Sequence, residues 1–411
     1  MMLRAALQTA DARQGTRESS AIQHPVKIPR QCAILVGGLG TRLGSLTADT
    51  PKPLLDCGGR PFLAWVLREL VRFGVNEVVL LAGHRSERVE SFCRELPAWL
   101  PKPLSVKISV EPSPAGTGGA LWHARHLLRD TFLLINGDSW FDTNLARFFA
   151  ASSAQDAVAS VLLRQMEDCA RYGTAEIEGD RVVAFREKTS DSGPGLISCG
   201  VYVFDQRLFP LLSPKCSLET DILPALVSQR QLTASVLEGF FIDIGIPSDY
   251  VRAGQDLPRR LMRPAVFFDR ALVIRRDLTW MAEAKDAVRF ANDAAVHAFV
   301  VQAGATREIN SARDAEALPE NFLEDLLAYG ATIDDIRLRL STPDQSQREP
   351  ATSMILKVLK TWNVDPRRAI VIGDQHAVQA GQAAGVEGRL YSGEPVLEFA
   401  EPLISRLRDA P

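Results

Sequence analysis

The chain has no cysteine after Cys216, and its six cysteines show no CxxC spacing. This argues against a zinc cage or a disulfide framework and favours the reduced thiols of a cytoplasmic protein. No apolar run approaches the roughly 18 to 20 residues that a membrane-spanning helix needs. Residues 1–30 also lack the apolar core of a signal peptide. We therefore expect a cytoplasmic protein with no membrane partner and a disordered leader over residues 1–30.

An excess of one charge is also missing. The 411 residues include 47 Lys and Arg against 50 Asp and Glu, for a net charge of -3. This excludes a global attraction to nucleic acid, so any binding of phosphates must come from a local arrangement. The composition is 46% hydrophobic and 24% charged, which is ordinary for a globular protein, and the length suggests two or three domains.

Short apolar runs alternate with amphipathic stretches from residue 31 onward. The runs at 32–36, 77–82, 106–110 and 131–135 predict strands, and 63–72 and 86–95 predict helices, in the rhythm of an α/β fold with a largely parallel sheet. Shorter alternating runs between 157 and 204 predict an antiparallel lid or sheet extension. These elements define a first domain over 31–255.

A polar, arginine-rich and proline-bounded stretch follows, and we interpret residues 256–263 as a linker. Beyond it, apolar runs at 264–268, 296–301 and 369–372 restart the α/β rhythm. They predict a second α/β domain over 264–411, of ordinary domain size.

A glycine-rich turn follows the first predicted strand, and Pro51-Lys52-Pro53 comes soon after. Glycines allow backbone N–H groups to approach phosphate oxygens closely, and Arg42 and Lys52 would add positive charge. A dinucleotide-binding fingerprint is excluded, because the spacing is not GxGxxG and no ribose-binding acid follows in the expected place. The turn has the sequence Gly37-Gly38-Leu39-Gly40-Thr41-Arg42-Leu43.

The string GGxGTRL followed by PKP resembles the signature of the sugar-1-phosphate nucleotidyltransferases, which join a nucleoside monophosphate to a phosphorylated sugar and release pyrophosphate. The resemblance implies a Rossmann-like, GT-A-like mixed sheet in the first domain. It also implies that Arg42 stabilises charge on the leaving pyrophosphate and that Lys52 contacts the phosphates. The residues that would wrap the nucleotide phosphates are Gly37, Gly38, Gly40 and Thr41.

The segment Glu111-Pro112-Ser113-Pro114-Ala115-Gly116-Thr117-Gly118 resembles the family's base-recognition segment. A carboxylate at Glu111 can accept two hydrogen bonds, and guanine offers two donors side by side. Relatives that use uracil or thymine resemble one another in having glutamine there. The sequence therefore favours GTP as the nucleotide, with further contacts from Gly116, Thr117 and Gly118.

Asp138 and Asp243 resemble the family's paired magnesium ligands. Two carboxylates suit Mg²⁺, which keeps several waters and bridges phosphates. The resemblance thus implies Mg²⁺ as the cofactor and an in-line attack of the sugar phosphate on the α-phosphorus, with no covalent protein intermediate.

The middle of the first domain contains YG, EK and GxY elements that line the sugar-phosphate pocket in the family. The sequence strings RYGT, SGPGLI and SLE are similar to those of D-glycero-D-manno-heptose 1-phosphate guanylyltransferases. This resemblance implies a role in the synthesis of lipopolysaccharide or another surface glycan. Ser198-Cys199 departs from the usual asparagine-small pair, so mannose 1-phosphate and other hexose 1-phosphates stay open. The residues implied to bind the sugar phosphate are Tyr172, Gly173, Glu187, Lys188 and Gly200.

The second domain opens with a strand that ends at Asp269 and resembles the haloacid dehalogenase superfamily, particularly the heptose-bisphosphate phosphatases. Gly373-Asp374 resembles that superfamily's metal-binding motif. The general-acid position is Ala271, and without a general acid the leaving oxygen is not protonated. Three further positions have lost the family residue, and these are Val300, Glu349 and Val378.

We therefore expect a phosphatase-like domain that has lost catalysis, with a vestigial site at Asp269 and Asp374. Such a domain would serve dimerisation or regulation, and the oligomeric state stays open. Two other hypotheses are a bifunctional enzyme with an active phosphatase and a non-catalytic sugar-nucleotide sensor.

Overall fold

The computed structural model describes residues 28–38, 40–186, 193–275, 277–303, 322–338 and 350–409. The leader expected over 1–30 falls almost wholly outside this part of the chain. Among the described residues, no helix is both long enough and apolar enough to cross a membrane.

The strands are numbered in chain order. Those of the first sheet and its neighbouring ribbon are β1 Gln31–Leu35, β2 Glu77–Ala82, β3 Ser105–Val110, β4 Thr131–Asn136, β5 Ser139–Asp142, β6 Ala159–Met166, β7 Thr174–Glu178, β8 Arg181–Arg186, β9 Gly195–Asp205, β10 Leu232–Val236 and β11 Phe240–Asp243. Those of the second sheet are β12 Ala265–Asp269, β13 His297–Val301, β14 Asp335–Arg337, β15 Ala369–Gly373 and β16 Glu387–Leu390.

The α-helices are numbered in the same way. They are α1 Phe62–Arg72, α2 Ser86–Glu95, α3 Gly116–Ala124, α4 Leu145–Ser153, α5 Leu223–Ser228, α6 Pro247–Arg260, α7 Arg270–Val273, α8 Ala282–Asp293, α9 Phe322–Ala328, α10 Ala351–Trp362, α11 Gln375–Ala383 and α12 Val396–Asp409.

In the part of the chain that the structure describes, the first sheet has nine strands in the order β3-β2-β1-β4-β9-β6-β10-β8-β7. The first four are parallel, and β9 runs antiparallel to both β4 and β6. The segment expected as a lid or sheet extension is therefore part of this one mixed sheet. Strands β5 and β11 form a separate antiparallel ribbon.

The parallel part of this sheet is covered on both faces. All six residues of β2 are buried, and so are all eleven of α1. One apolar cluster includes Ile34 with residues of α1, and the other includes Ala33 with residues of α3. Burial on both faces explains why these strands are continuous apolar runs instead of alternating ones.

Among the described residues, the second sheet has five parallel strands in the order β14-β13-β12-β15-β16. The three central strands are buried throughout. Apolar clusters on its two faces include Phe268 with α8 and α12 on one side, and Phe267 with α10 and α11 on the other. The residues from 265 onward thus form an α/β unit, called the second unit below.

The sequence placed most of the elements that it predicted within one or two residues. Residues 256–260, expected as part of a linker over 256–263, belong to a helix in the structure. Helix α6 continues to Arg260, with Ala253 and Leu257 buried one turn apart on its inner face. Pro258 lies in the last turn, where a missing N–H removes a single hydrogen bond. Arg263, also in the expected linker, is buried at the junction of the two units.

Candidate active site

The glycine-rich turn begins where β1 ends at Leu35, at the carboxyl edge of the parallel strands. Gly37 has no room for a side chain, since a Cβ would lie 2.9 Å from the backbone nitrogen of Gly83. Gly40 has a φ of 62°, and a Cβ there would lie 2.8 Å from Thr47. Glycine at these two positions lets the backbone pass close to the sheet edge, the arrangement that exposes N–H groups to phosphate.

Lys52 lies between the two carboxylates that the sequence singled out. Its Nζ is 2.6 Å from Oδ2 of Asp138 and 3.6 Å from Oδ1 of Asp243. Asp138 lies in the turn between β4 and β5, and Asp243 ends β11 opposite Ser139. The structure therefore brings both carboxylates within 4 Å of one ammonium nitrogen.

These carboxylates are the candidate metal ligands. Within the described residues there is no group of three or more His, Cys, Asp or Glu that could hold a metal ion. Mg²⁺ needs only one or two protein carboxylates when substrate phosphates and water complete its coordination, so Asp138 and Asp243 fit that ion. In this structure the ammonium of Lys52 lies beside both carboxylates, where a metal ion would bind.

Glu111 follows β3 and is oriented by neighbouring backbone. Its Oε2 accepts a hydrogen bond from the N–H of Ala115 at 3.2 Å. Its Oε1 lies 2.7 Å from where a Cβ of residue 83 would be, so the glycine at 83 makes room for the carboxylate. The carboxylate is therefore fixed at the end of the parallel strands, beside the glycine-rich turn.

The segment after Glu111 opens helix α3. Gly116 has a φ of 79°, and a Cβ there would lie 2.5 Å from the carbonyl oxygen of Cys216. Thr117 donates from Oγ1 to Oε2 of Glu219 at 2.6 Å. The N–H of Gly118 donates to the Cys216 carbonyl at 3.0 Å. Gly118 therefore packs against Cys216 and is not among the residues that line the cavity described below, and its expected contact with the nucleotide stays a prediction.

A cavity of about 770 Å³ lies at this edge of the sheet. Its lining includes the glycine-rich turn and the segment that begins at Glu111. The structure therefore brings the two predicted nucleotide-binding segments together. The predicted residues that line it are Gly37, Gly38, Gly40, Thr41, Arg42, Lys52, Glu111, Gly116, Thr117 and Asp138.

Those residues expected to bind the sugar phosphate that the structure describes, Tyr172, Gly173 and Gly200, lie around the β5–β11 ribbon and β9. The ring of Tyr172 packs edge-on against Phe241 with centroids 5.7 Å apart, and burial raises the pKa of Tyr172. Gly200 has a φ of 70° and faces Asn136, which lines the cavity. Gly173 lies just before β7. Glu187 and Lys188 lie outside the described residues.

Asp269 of the second unit is the last residue of β12, and Asp374 directly follows the neighbouring parallel strand β15. Asp269 caps α7 by accepting from the N–H of Ala271 at 2.9 Å, and Asp374 caps α11 by accepting from the N–H of Ala377 at 2.9 Å. A Cβ on Gly373 would lie 2.7 Å from Cβ of Asp269, so the two strand ends are close. Glu349, the replaced lysine, lies outside the described residues.

Sequence reasoning missed several residues that line the cavity. Gly245 is one, since a Cβ there would lie 2.7 Å from Oδ1 of Asp243 and 3.5 Å from Nζ of Lys52. Glu219 is another, and its only sequence signal is its place in the SLE string. The missed lining residues include Gly83, His84, Asn136, Glu219 and Gly245.

The fold and this cavity define a phosphate-binding α/β enzyme with a nucleotide-sized site at the carboxyl ends of parallel strands. A sequence model of the "Nucleotidyl transferase" family matches residues 32–260, more than half of the chain. The chain belongs to the nucleotidyl transferase family, and the prediction of a sugar-1-phosphate nucleotidyltransferase is confirmed.

Curated relatives match the same part of the chain. D-glycero-alpha-D-manno-heptose 1-phosphate guanylyltransferase of Aneurinibacillus thermoaerophilus is 35% identical over 230 residues, which are 55% of this chain and 98% of the relative. The catalytic subunit beta of mannose-1-phosphate guanylyltransferase of Dictyostelium discoideum is 33% identical over 225 residues, 53% of this chain and 62% of the relative. A UDP-glucose pyrophosphorylase structure, complexed with UDP-glucose, has a TM-score of 0.50 at 17% identity and covers 56% of this chain and 99% of its own, which shows the shared fold alone.

Proposed function

We propose that the chain transfers GMP from GTP to D-glycero-α-D-manno-heptose 1-phosphate and releases pyrophosphate. Two relatives covered almost end to end, from Aneurinibacillus thermoaerophilus and Campylobacter jejuni, are named for this reaction. The product would be a GDP-activated heptose for a surface glycan such as lipopolysaccharide.

The observation that carries the choice of GTP is the placement of Glu111 in the cavity. Its two carboxylate oxygens are both acceptors, whereas glutamine would offer one acceptor and one donor. Guanine presents its ring N–H and its amino group side by side, so a carboxylate can accept from both. The Ala115 N–H holds the carboxylate in place before the nucleotide arrives.

We further propose that Asp138 and Asp243 hold Mg²⁺ with the nucleotide phosphates. When bound, the ion would neutralise charge on the phosphates and orient the α-phosphorus. The position of both carboxylates within 4 Å of the Lys52 ammonium supports this assignment, because a site that attracts an ammonium also suits a divalent cation.

The chain's own residues supply positioning and charge. The turn at Gly37 and Gly38 lets backbone N–H groups contact the triphosphate, and Arg42 lies at the cavity where the pyrophosphate would leave. An oxygen of the sugar phosphate attacks the α-phosphorus while the bond to the bridging oxygen of pyrophosphate breaks. Positive charge at Arg42 and Lys52 stabilises the negative charge that develops on the departing group.

Mannose 1-phosphate is the second candidate acceptor. Several relatives named mannose-1-phosphate guanylyltransferases are 32% to 33% identical to this chain. Ser198, at the position of the usual asparagine, shares a 2.9 Å hydrogen bond with the hydroxyl of Tyr202 and accepts from the N–H of Gly200. A serine held in this way presents fewer hydrogen-bonding groups to a sugar than asparagine does.

Pyrophosphate release by the purified full chain tests these proposals, with four NTPs each offered with heptose 1-phosphate and mannose 1-phosphate. We expect GTP with the heptose to give the highest kcat/KM. Glu111→Gln should shift the preference from GTP towards UTP by roughly 10- to 100-fold, the value of one hydrogen bond to a charged group. Higher kcat/KM with mannose 1-phosphate would select the second candidate, and no pyrophosphate with any pair would support a sensor.

We also propose that the second unit is a haloacid dehalogenase-like domain without phosphatase activity. Its parallel sheet, with Asp269 and Asp374 at neighbouring strand ends, supports the fold. Ala271, in place of a general acid, supports the loss of activity. The full chain should release no phosphate from heptose bisphosphate with Mg²⁺ above an Asp269→Asn control. Release by the wild-type chain alone would make the enzyme bifunctional.

A further inference from the structure

The second unit packs on helix α1 of the transferase part through a contact that includes buried charges. Arg72, the last residue of α1, is fully buried and donates from Nε to Oδ1 of Asp334 at 2.5 Å. It also donates to the carbonyl of Val296 at 3.2 Å. Buried charges cost free energy unless they are paired in a defined geometry, so this contact fixes one orientation of the two units.

Arg263 extends the contact towards the active site. It lies two residues before β12, beyond the part of the chain that the family model matches. Its side chain is 2% exposed, and its Nη2 lies 2.8 Å from Oε2 of Glu69 and 2.6 Å from Oδ1 of Asp142. Burial raises the pKa of Asp142, and the positive charge of Arg263 opposes that shift. Arg263 is therefore a buried cation in direct contact with Asp142, and Arg72 and Arg260 act on the Asp142 pKa in the same direction.

The chain just after Asp142 is bound by the second unit as well. Asn144 caps α4 by accepting from the N–H of Ala146 at 3.1 Å. Its Nδ2 donates to Oδ1 of Asp293 at 2.8 Å and to the carbonyl of Gly330 at 2.9 Å, both in the second unit. The residues at the end of β5 are thus held from two sides.

Strand β5 links this contact to the candidate metal ligands. It is four residues long, with Asp138 immediately before it and Asp142 as its last residue. It pairs with β11, which ends at Asp243, and the two form a ribbon of two strands outside the nine-stranded sheet. A two-stranded ribbon is marginally stable by itself, so its position depends on what packs against it.

We infer that Arg263, two residues before the second unit, is a positioning residue for the transfer site. It ties the end of the β5–β11 ribbon to helix α1 and to the start of the second unit, and so sets where Asp138 and Asp243 lie relative to the glycine-rich turn. The inference rests on the proposed role of these two aspartates. For stability alone, an apolar contact would serve as well as a buried ion pair, whereas a charged pair also fixes direction. The second unit is then a working part of the transferase, whether or not it has chemistry of its own.

The test compares Arg263→Met and Arg263→Lys with Arg259→Met, an exposed arginine on α6. Turnover and the half-saturating Mg²⁺ concentration are measured with GTP and heptose 1-phosphate, and calorimetry measures Mn²⁺ binding without substrates. We expect Arg263→Met to lower kcat by about tenfold and to weaken Mn²⁺ binding by about tenfold, because a small displacement of ligand groups lowers both reaction rate and metal affinity. KM for GTP should stay within about twofold of the wild-type value. Arg263→Lys should recover part of both losses, and Arg259→Met should match the wild type.

Folded Arg263→Met with wild-type kcat and wild-type Mn²⁺ binding would overturn the inference. Where Arg263→Met does not fold, Asp293→Ala takes its place, since Asp293 is partly exposed and is an acceptor for Asn144. It should weaken Mn²⁺ binding by about two- to fivefold, and unchanged binding would again overturn the inference. A wild-type chain that transfers no GMP would instead contradict the proposed function, while the Mn²⁺ comparison among variants would still test Arg263.

Discussion

Replacing Lys52 by methionine should have two opposite effects on the enzyme. The ammonium of Lys52 lies 2.6 Å from Asp138 and 3.6 Å from Asp243, the two candidate metal ligands. Before nucleotide binds, it therefore competes with a divalent cation for the same carboxylates. During transfer, the same charge would stabilise the phosphates. Methionine keeps much of the side-chain volume but removes the positive charge and the hydrogen bond to Asp138.

The gain in metal affinity follows from the local exposure. Lys52 is 13% exposed, and the side chains of Asp138 and Asp243 are 30% and 25% exposed. Two unit charges 4 Å apart interact by ~1 kcal/mol in water and by ~4 kcal/mol near a protein surface. Solvent at these carboxylates favours the lower part of that range, so we expect ~1 to 2 kcal/mol, or roughly five- to thirtyfold tighter metal binding. Turnover should fall by ~10²-fold or more.

Calorimetric titration of the nucleotide-free enzyme with Mn²⁺ measures the first effect, and pyrophosphate release measures the second. Lys360→Met, at an exposed position on α10, is the matched control and should change neither. Unchanged or weaker Mn²⁺ binding in a folded Lys52→Met variant would refute the competition. Unchanged turnover would remove Lys52 from the catalytic group.

Three further outcomes are expected. Arg42→Ala should lower turnover by ~10²-fold or more, because it lines the cavity where charge develops, and unchanged steady-state turnover of the folded variant would refute this. Gly200→Ala should destabilise the fold by ~1 to 2 kcal/mol, since φ is 70° and a Cβ would lie 2.6 Å from Nδ2 of Asn136; an unshifted thermal unfolding midpoint would contradict it. Burial lowers the pKa of His297 to about 4 from 6.5, although nearby Asp334 opposes the shift. As the pH falls through 6.5, this histidine is protonated in the unfolded chain but not in the folded one. The free energy of unfolding therefore decreases between pH 6.5 and pH 4, and the loss between pH 7 and pH 5 is ~2 kcal/mol. Urea midpoints at the two pH values measure this loss, which His297→Gln should reduce.

Patterns of nearby residues in the sequence predicted much of the fold. The apolar run at 77–82 and the amphipathic run at 86–95 match β2 and α2 residue for residue, because period and turn residues act over a few positions. Prolines and arginines at 256–260 suggested irregular chain, whereas these residues are helical in the structure, because buried Ala253 and Leu257 anchor the inner face of α6.

The candidate site was predicted where a motif is continuous, and missed where distant segments meet. The glycine-rich turn and the segment from Glu111 are continuous strings, and both line the cavity. Glu219 reaches the cavity because the short helical turn at Leu218–Ile222 packs on α3, where Thr117 is its hydrogen-bond partner. Gly118 belongs to the base-recognition segment, yet its N–H donates to the carbonyl of Cys216, a contact that the motif did not indicate.

The sequence by itself determined which chemical groups the enzyme has and in what local order: glycines for close backbone approach, cations for phosphate, and carboxylates for a metal. Tertiary structure alone decided that Lys52 lies between Asp138 and Asp243, and that Arg263 contacts Asp142. The physical reason is that ion pairs and hydrogen bonds act over about 3 to 4 Å, a distance set by how strands and helices pack. Positions far apart along the chain give no measure of that distance.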